Sequence, residues 1–394
     1  MSVPVLRFKG YSDLWNIVTL DGVSENVMYG MGAAAMPYDG INKYLRITDI
    51  DEASREFRPA PLCSPDGLIE EKYKLKIGDL VFARTGASVG KSYLYKEADG
   101  NLLFAGFLVK FHITRANPYF VYLQTLSGQY KNWLLIMSMR SGQPGVNAEE
   151  LKGFCFKAPI LQEQTKIANF LTAVDEKIQH LTQKADLLLQ YKKGVMRQIF
   201  SQELRFKDDD GGEFPPWENY ALLDIAQIIM GSSPQSDAYN EIGNGLPLIQ
   251  GNADIKERVS APRVFTSQIT KECIIGDILL SVRAPVGTVA KSGHHACIGR
   301  GIAAVRSKKQ FYQQYLYQWL LAFEPKWKSL SQGSTFESVN SDEIKNLELE
   351  IPTLIEQTKI ANFLTAIDDK ITHTKTQLAA VKQYKQALLQ QMFV

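Results

Sequence analysis

The chain of 394 residues has only four cysteines, Cys63, Cys155, Cys273 and Cys297, and no two of them form a CxxC pair. That spacing excludes a zinc ribbon and a thioredoxin-type redox motif. It makes a reduced cytoplasm the simplest compartment. No apolar run approaches the ~20 residues that a membrane-spanning helix needs. The opening MSVPVLRFKGYSDLW lacks the basic-then-apolar order expected of a secretory leader. An excess of charge of one sign is also missing, since Lys+Arg 44 against Asp+Glu 42 leaves only +2. Nucleic-acid binders usually carry a strong basic excess. Such a role here would need basic residues gathered on one surface, or charge supplied by a partner. There is no glycine-rich cofactor fingerprint, no NPPF-like tetrapeptide and no nucleophile-and-base set.

What is present is a repeat. EQTKIANFLTA occupies residues 163–173 and recurs unchanged at 356–366, 193 residues on. At the same offset Pro159 matches Pro352, Asp175 matches Asp368, Lys177 matches Lys370 and Phe200 matches Phe393. Gln190-Tyr191-Lys192 likewise returns as Gln383-Tyr384-Lys385, and Val146-Asn147 as Val339-Asn340. Upstream the likeness weakens: IGDLVFAR at 77–84 resembles IGDILLSVR at 275–283, and LRFK at 6–9 returns at 204–207, followed by Trp15 or Trp217. Two copies of this length are two homologous halves, not a solenoid. A hydrophobic content of 45% and a charged content of 22% fit globular domains.

The shared segments read as helices. Ile167, Leu171, Val174, Ile178, Leu181, Ala185, Leu188 and Val195 recur at alternating steps of four and three, as do Ile360, Leu364, Ile367, Ile371, Leu378, Val381 and Leu388. Thr374 is a polar exception, and Lys192 and Lys385 interrupt both stripes at one register. A narrow 3.5-residue seam suits an antiparallel coiled coil of the two helices, each ~60 Å long. The alternative is that each helix packs on its own globular part. Thr353 to Glu356 forms a possible capping box. The globular parts read as α+β: VFAR and DILLSV are β-rich, residues 119–126 and 311–321 helical, and the prolines near Val3 and Phe214 favour extended chain. The expected domains are 1–155, a helix at 156–200, 201–350, and a helix at 351–394, with the polar run 207–212 breaking the halves.

Glu163, Gln164, Lys166 and Asn169 are repeated as Glu356, Gln357, Lys359 and Asn362, although none lies in the apolar seam. Solvent-facing helix positions usually tolerate change. A recent duplication would keep them, but it would also leave the globular parts alike, and those parts differ. These eight residues are therefore the expected contacts to one kind of partner, docked twice.

This organisation resembles the specificity subunit of type I restriction–modification systems over the whole chain. The resemblance is carried by APILQEQTKIANFLTAVDEKI and IPTLIEQTKIANFLTAIDDKI, by GDLVFAR and GDILLSVR, and by the loops SGQPGVN and QGSTFESVN. It implies two target-recognition domains that read the halves of an asymmetric, interrupted site on double-stranded DNA, and two methyltransferase subunits docked on a helical spacer. It also implies no catalysis and no bound cofactor in this chain. S-adenosylmethionine would belong to the methyltransferase subunits, and ATP and Mg to the restriction and motor subunits. Independently, a ~60 Å rod exceeds one DNA turn of ~34–36 Å, so inverted modules would meet separated half-sites.

Base reading requires polar or basic side chains at groove edges. The loops after the GD strands offer Arg84, Thr85, Ser88 and Lys91 in one half and Arg283, Thr288 and Lys291 in the other. Thr48 and Asp49, and Gln250 and Asn252, follow comparable segments. A solvated loop is the competing reading for each. Residues 86–92 fall one short of a GxxxxGK[ST] phosphate loop. His294-His295 lacks companions for a metal site, and His180 and His373 read as packing or surface residues. A duplicated protein-assembly scaffold and a stand-alone enzyme remain the alternative classes.

Overall fold

The structure, a computed structural model, describes residues 4–139, 144–327 and 338–393. The chain forms two compact units. Unit 1 comprises Met1–Thr182 with Thr376–Val394, and unit 2 is Gln183–Lys375. The expected boundaries at 155/156 and 350/351 fall elsewhere in kind: each long helix is itself divided, its start in one unit and its end in the other.

Both units are α+β and repeat one topology. In unit 1 an antiparallel sheet runs in the order Ser24–Tyr29, Leu108–Ile113, Asp79–Ala83, Ser92–Leu94. Unit 2 has the order Ala226–Met230, Ile302–Ser307, Ile278–Ser281, Val289–Lys291. It extends this sheet by Val259–Ser260 and Ile255–Lys256. The central strands are buried on both faces, which is why VFA and ILLS read as unbroken apolar runs. A second parallel pair recurs too, Lys43–Leu45 with Leu102–Phe104 and Leu246–Ile249 with Ala296–Ile298. Helices Pro118–Gln124 and Gln313–Phe323 occupy the expected aromatic stretches. Asn147 and Asn340 each cap a short helix with Glu150 or Glu343 closing the box, which accounts for the repeated Val-Asn.

The long helices are Leu161–Phe200 and Leu354–Met392. Within unit 1, the start of the first lies antiparallel to the end of the second. Leu6 N donates to Gln391 O while Arg7 reaches Glu163, and further along Lys385 Nζ is 2.6 Å from Asp175. Ile167, Leu171 and Val174 share a core with Trp15, Phe82, Phe120, Leu388, Met392 and Phe393. Unit 2 repeats this with the roles exchanged. Lys192 Nζ is 2.6 Å from Asp368, and Val195, Met196 and Ile199 join Ile360, Leu364, Trp217 and Tyr315. So the lysines that interrupt the seam are ion-paired across it. Helix pairing and packing on the globular part, weighed above as alternatives, occur together in each unit. Thr374 is buried and returns its hydroxyl to Lys370 O.

Two local expectations change. The polar run 207–212 is a turn inside unit 2, not a break between units: Asp208 receives Gly212 N, and Lys359 Nζ bonds Lys207 O. The capping box at Thr353 is half made. Glu356 N faces Thr353 Oγ1 at 3.4 Å, but the Glu356 carboxylate turns to other partners.

Candidate nucleic-acid interface

The GD motif builds the platform. Gly78 and Gly276 sit at φ of +94° and +92°, where a side chain is strained. The next residue, Asp79 or Asp277, is buried. Asp79 accepts from Lys76 N and pairs with His112; Asp277 accepts from Ile274 N and, bidentately, from Arg306. These buried carboxylates fix where each central strand begins. Arg84, Thr85 and Arg283 lie where those strands end.

In unit 2 several of them meet. A cavity of about 470 Å³ is lined by Gln250, Asn252, Ser281 and Arg283, together with Ser233 and Arg300. Asn252 Nδ2 donates to Pro285 O and Ser281 Oγ, which fixes its loop against the strand end. Gln250 Nε2 donates to Tyr239 OH at 2.7 Å. Arg300 is held at its backbone, which donates to Ser233 Oγ. A Cβ at Gly301 would sit 2.3 Å from Gln250 O, so glycine lets these two loops meet. Arg300 between two glycines was the available signal for this wall, and sequence reasoning missed it. Thr288 and Lys291 lie apart from the cavity lining. Lys291 Nζ donates to Gln314 and stands 4.5 Å over the Tyr317 ring. Its burial lowers its pKa despite Asp368 nearby.

Unit 1 places different chemistry at the matching strand end. Val146 N bonds Arg84 O as Val339 N bonds Val282 O, and Thr85 bridges Gly145 as Arg283 bridges Ser338. Arg84 therefore matches Val282, and Thr85 matches Arg283, because the arginine comes one position earlier after the GD pair in the first half. The Arg84 guanidinium lies 5.0 Å from the Tyr29 ring centroid and 5.9 Å from that of Phe107, a half-exposed aromatic pair that sequence reasoning also missed. Ser88 is half-buried in a 3-10 turn and Thr48 is exposed.

Two candidates are structural instead. Asp49 is buried, accepting from Arg46 N and the Arg46 guanidinium. Lys91 is buried, donating to Ile50 O and pairing with Glu52. Both lie too deep to meet a base edge. Residues 86–92 link two antiparallel strands, so they form no strand-to-helix phosphate loop. His294 Nδ1 is 2.7 Å from Ser260 Oγ, and His295 pairs with Glu272. Among the described residues no group of three or more His, Cys, Asp or Glu could hold a metal ion, and no helix is long and apolar enough to cross a membrane. Residues 140–143 and 328–337, which include the start of the SGQPGVN loop and most of the QGSTFESVN loop, lie outside the described residues.

The helix-start residues are not solvent-facing as a group. Glu163 and Glu356 are fully buried. Glu163 takes both Arg7 bonds at 2.7 and 2.8 Å; Glu356 takes Arg205 and Trp217 Nε1. Gln164 accepts from Asn117 N and donates to Pro159 O, and Gln357 does the same with Tyr312 N and Pro352 O. Each Glu-Gln pair therefore ties the LRFK segment and the start of helix Pro118–Gln124 or Gln313–Phe323 to the long helix. Lys166 lies over Phe8 and Tyr11, and Lys359 over Phe214. Asn169 and Asn362 are exposed. Identity outside the seam thus has an internal cause for most of the eight residues.

A duplicated α+β module, closed each time by two antiparallel helix segments and carrying different polar side chains at one strand end, is the architecture of a two-part recognition protein. The family described as type I restriction modification DNA specificity domain matches residues 69–190 and 215–383, and the chain belongs to it. It is 30% identical over 334 residues to the MjaX restriction-enzyme specificity subunit of Methanocaldococcus jannaschii, covering 81% of this chain and 78% of that one. Among solved structures it resembles a chain from a type I R-M system studied for complex assembly and conformational transition. That match has TM-score 0.58 and 25% identity, covering 96% of this chain and 97% of the other. The S subunit of the type I system from M. genitalium shares the fold, with TM-score 0.66 at 15% identity over 100% of this chain and 99% of that one.

Proposed function

We propose that this chain is the non-catalytic, cytoplasmic reader of a bipartite, asymmetric DNA sequence, each unit reading one half, and that two methyltransferase subunits dock on its helical region, with restriction subunits joining the full complex. One observation carries the reading: the same strand end bears an arginine–amide cavity in unit 2 and an arginine–aromatic cluster in unit 1. One scaffold with two unlike surfaces suits two unlike half-sites. No cofactor is assigned to this chain; S-adenosylmethionine, ATP and Mg belong to its partners. Among the repeated helix-start residues, Lys166, Asn169 and Asn362 face solvent and are the direct docking contacts. Glu163, Gln164, Glu356, Gln357 and Lys359 act on docking through the shape of the helix start. The test is to exchange residues 1–155 for those of a relative and map the methylated adenines. Half of the recognised site changes and the other half persists. A change in both halves, or in neither, defeats the proposal.

A further inference from the structure

The globular part of unit 2 contains six arginines. Arg205, Arg258, Arg263 and Arg306 are each ion-paired, with Glu356, Glu324, Asp254 and Asp277. Arg283 and Arg300 have no carboxylate within reach among the described residues, and both line the one cavity described above. Among the described residues no acidic side chain lines it. A cavity with two unpaired guanidinium groups and no counter-charge calls for electron-rich acceptors from outside.

The acceptors could be phosphate oxygens or base edges. The amides decide between them. Tyr239 donates its own hydroxyl proton to Pro234 O, so it must accept from Gln250 Nε2. That fixes the Gln250 amide and leaves Oε1 with no partner among the described residues. Asn252 is fixed in the same way, because its Nδ2 faces the Pro285 carbonyl. The cavity therefore offers guanidinium donors beside a carboxamide acceptor. A phosphate has no proton to give that acceptor. A G·C pair has one: in the major groove guanine presents O6 and N7 as acceptors, and cytosine presents its N4 amino group as a donor.

We propose, resting on the DNA-reading role above, that this cavity reads a G·C pair in the major groove. Arg283 and Arg300 donate to guanine O6 and N7, and Gln250 Oε1 accepts from cytosine N4. The matching place in unit 1 does not repeat this set, since Arg84 lies against Tyr29 and Phe107 and its buried Nε has no partner among the described residues. The G·C requirement belongs to one half-site.

The experiment selects bound duplexes from a randomised library with the full chain assembled with methyltransferase subunits, at several salt concentrations. Wild type is compared with Arg283→Ala, Arg300→Ala and Gln250→Ala. Wild type selects a G·C pair in the half-site that follows residues 201–350 on domain exchange. Each arginine variant loses roughly 5- to 150-fold of its preference at that pair and keeps the other half-site intact. Gln250→Ala relaxes the same position. Both arginines are exposed, so the melting temperature stays unchanged and lost selectivity reports reading and not folding. Uniform weakening across all sequences, with a salt slope reduced by about one per arginine, would mean phosphate contact and overturn the inference while leaving DNA reading intact. A half-site without a G·C pair also overturns it. A wild-type complex with no sequence preference overturns both this inference and the function on which it rests.

Discussion

Glu356→Ala separates an internal role for the repeated Glu-Gln pair from a docking role. The Glu356 carboxylate is fully buried and accepts from Arg205 Nη2 at 2.7 Å, Arg205 Nε at 3.2 Å and Trp217 Nε1 at 3.2 Å. Truncation leaves the Trp217 N–H buried without an acceptor, which costs about 1–3 kcal/mol. Breaking a sealed ion pair would add about 3–5 kcal/mol, but Arg205 is 23% exposed and can turn to water, so its share is smaller. A total of about 3 kcal/mol follows. For a unit of this size each kcal/mol moves the melting temperature by ~2–4 °C, so calorimetry of the full chain should record a fall of ~6–12 °C. In a double-mutant cycle Arg205→Ala and Glu356→Ala should couple by about 1–3 kcal/mol. A melting temperature within about 1 °C of wild type would refute the argument and return Glu356 to the partner surface.

Gly287→Ala should cost more than about 3 kcal/mol, read as a loss of folded unit 2 in denaturant melts, because φ is +89° and the new Cβ would lie 2.4 Å from the buried Trp327. Asp49→Ala should destabilise unit 1 by about 1–3 kcal/mol, since it strips a buried cap from Arg46, and should leave the selected DNA sequence unchanged. Lys192→Met should cost only about 1 kcal/mol in thermal melts, because Asp368 is 35% exposed and keeps its bond from Gln318. Asn169→Arg with Asn362→Arg should weaken methyltransferase assembly in sedimentation while the melting temperature stays put, because both positions are exposed.

The repeat, the two long helices and the α+β class were legible because they rest on local pattern: eleven identical residues, a 3.5-residue seam and apolar runs bounded by GD. The partner of each seam was not. A stripe such as Ile167, Leu171 and Val174 says that something apolar lies opposite, and both a helix end and a globular core satisfy it. Glu163 was misread for a related reason. Periodicity treats a non-seam glutamate as outward, whereas its partner Arg7 lies 156 positions away and leaves no local trace. Asp49 and Lys91 look like loop residues in sequence, yet a nearby guanidinium and a carbonyl draw them inward. Gln250, Asn252 and Arg283 could be proposed as neighbours because strand ends gather polar loops, whereas their meeting with Arg300 in one cavity was not legible, because a lone arginine between glycines has no period.

The division of the helices sets the order in which a nascent chain can finish its parts. Unit 2 is the continuous stretch Gln183–Lys375, whereas unit 1 needs Thr376–Val394 to supply Leu388, Met392 and Phe393. At ~5–20 residues per second, the first recognition module to leave the ribosome waits ~10–40 s for the helix end that seals it. During synthesis the later module can close first. The earlier one carries an open apolar groove beside Phe120 meanwhile, and that is the stage at which a chaperone would find it.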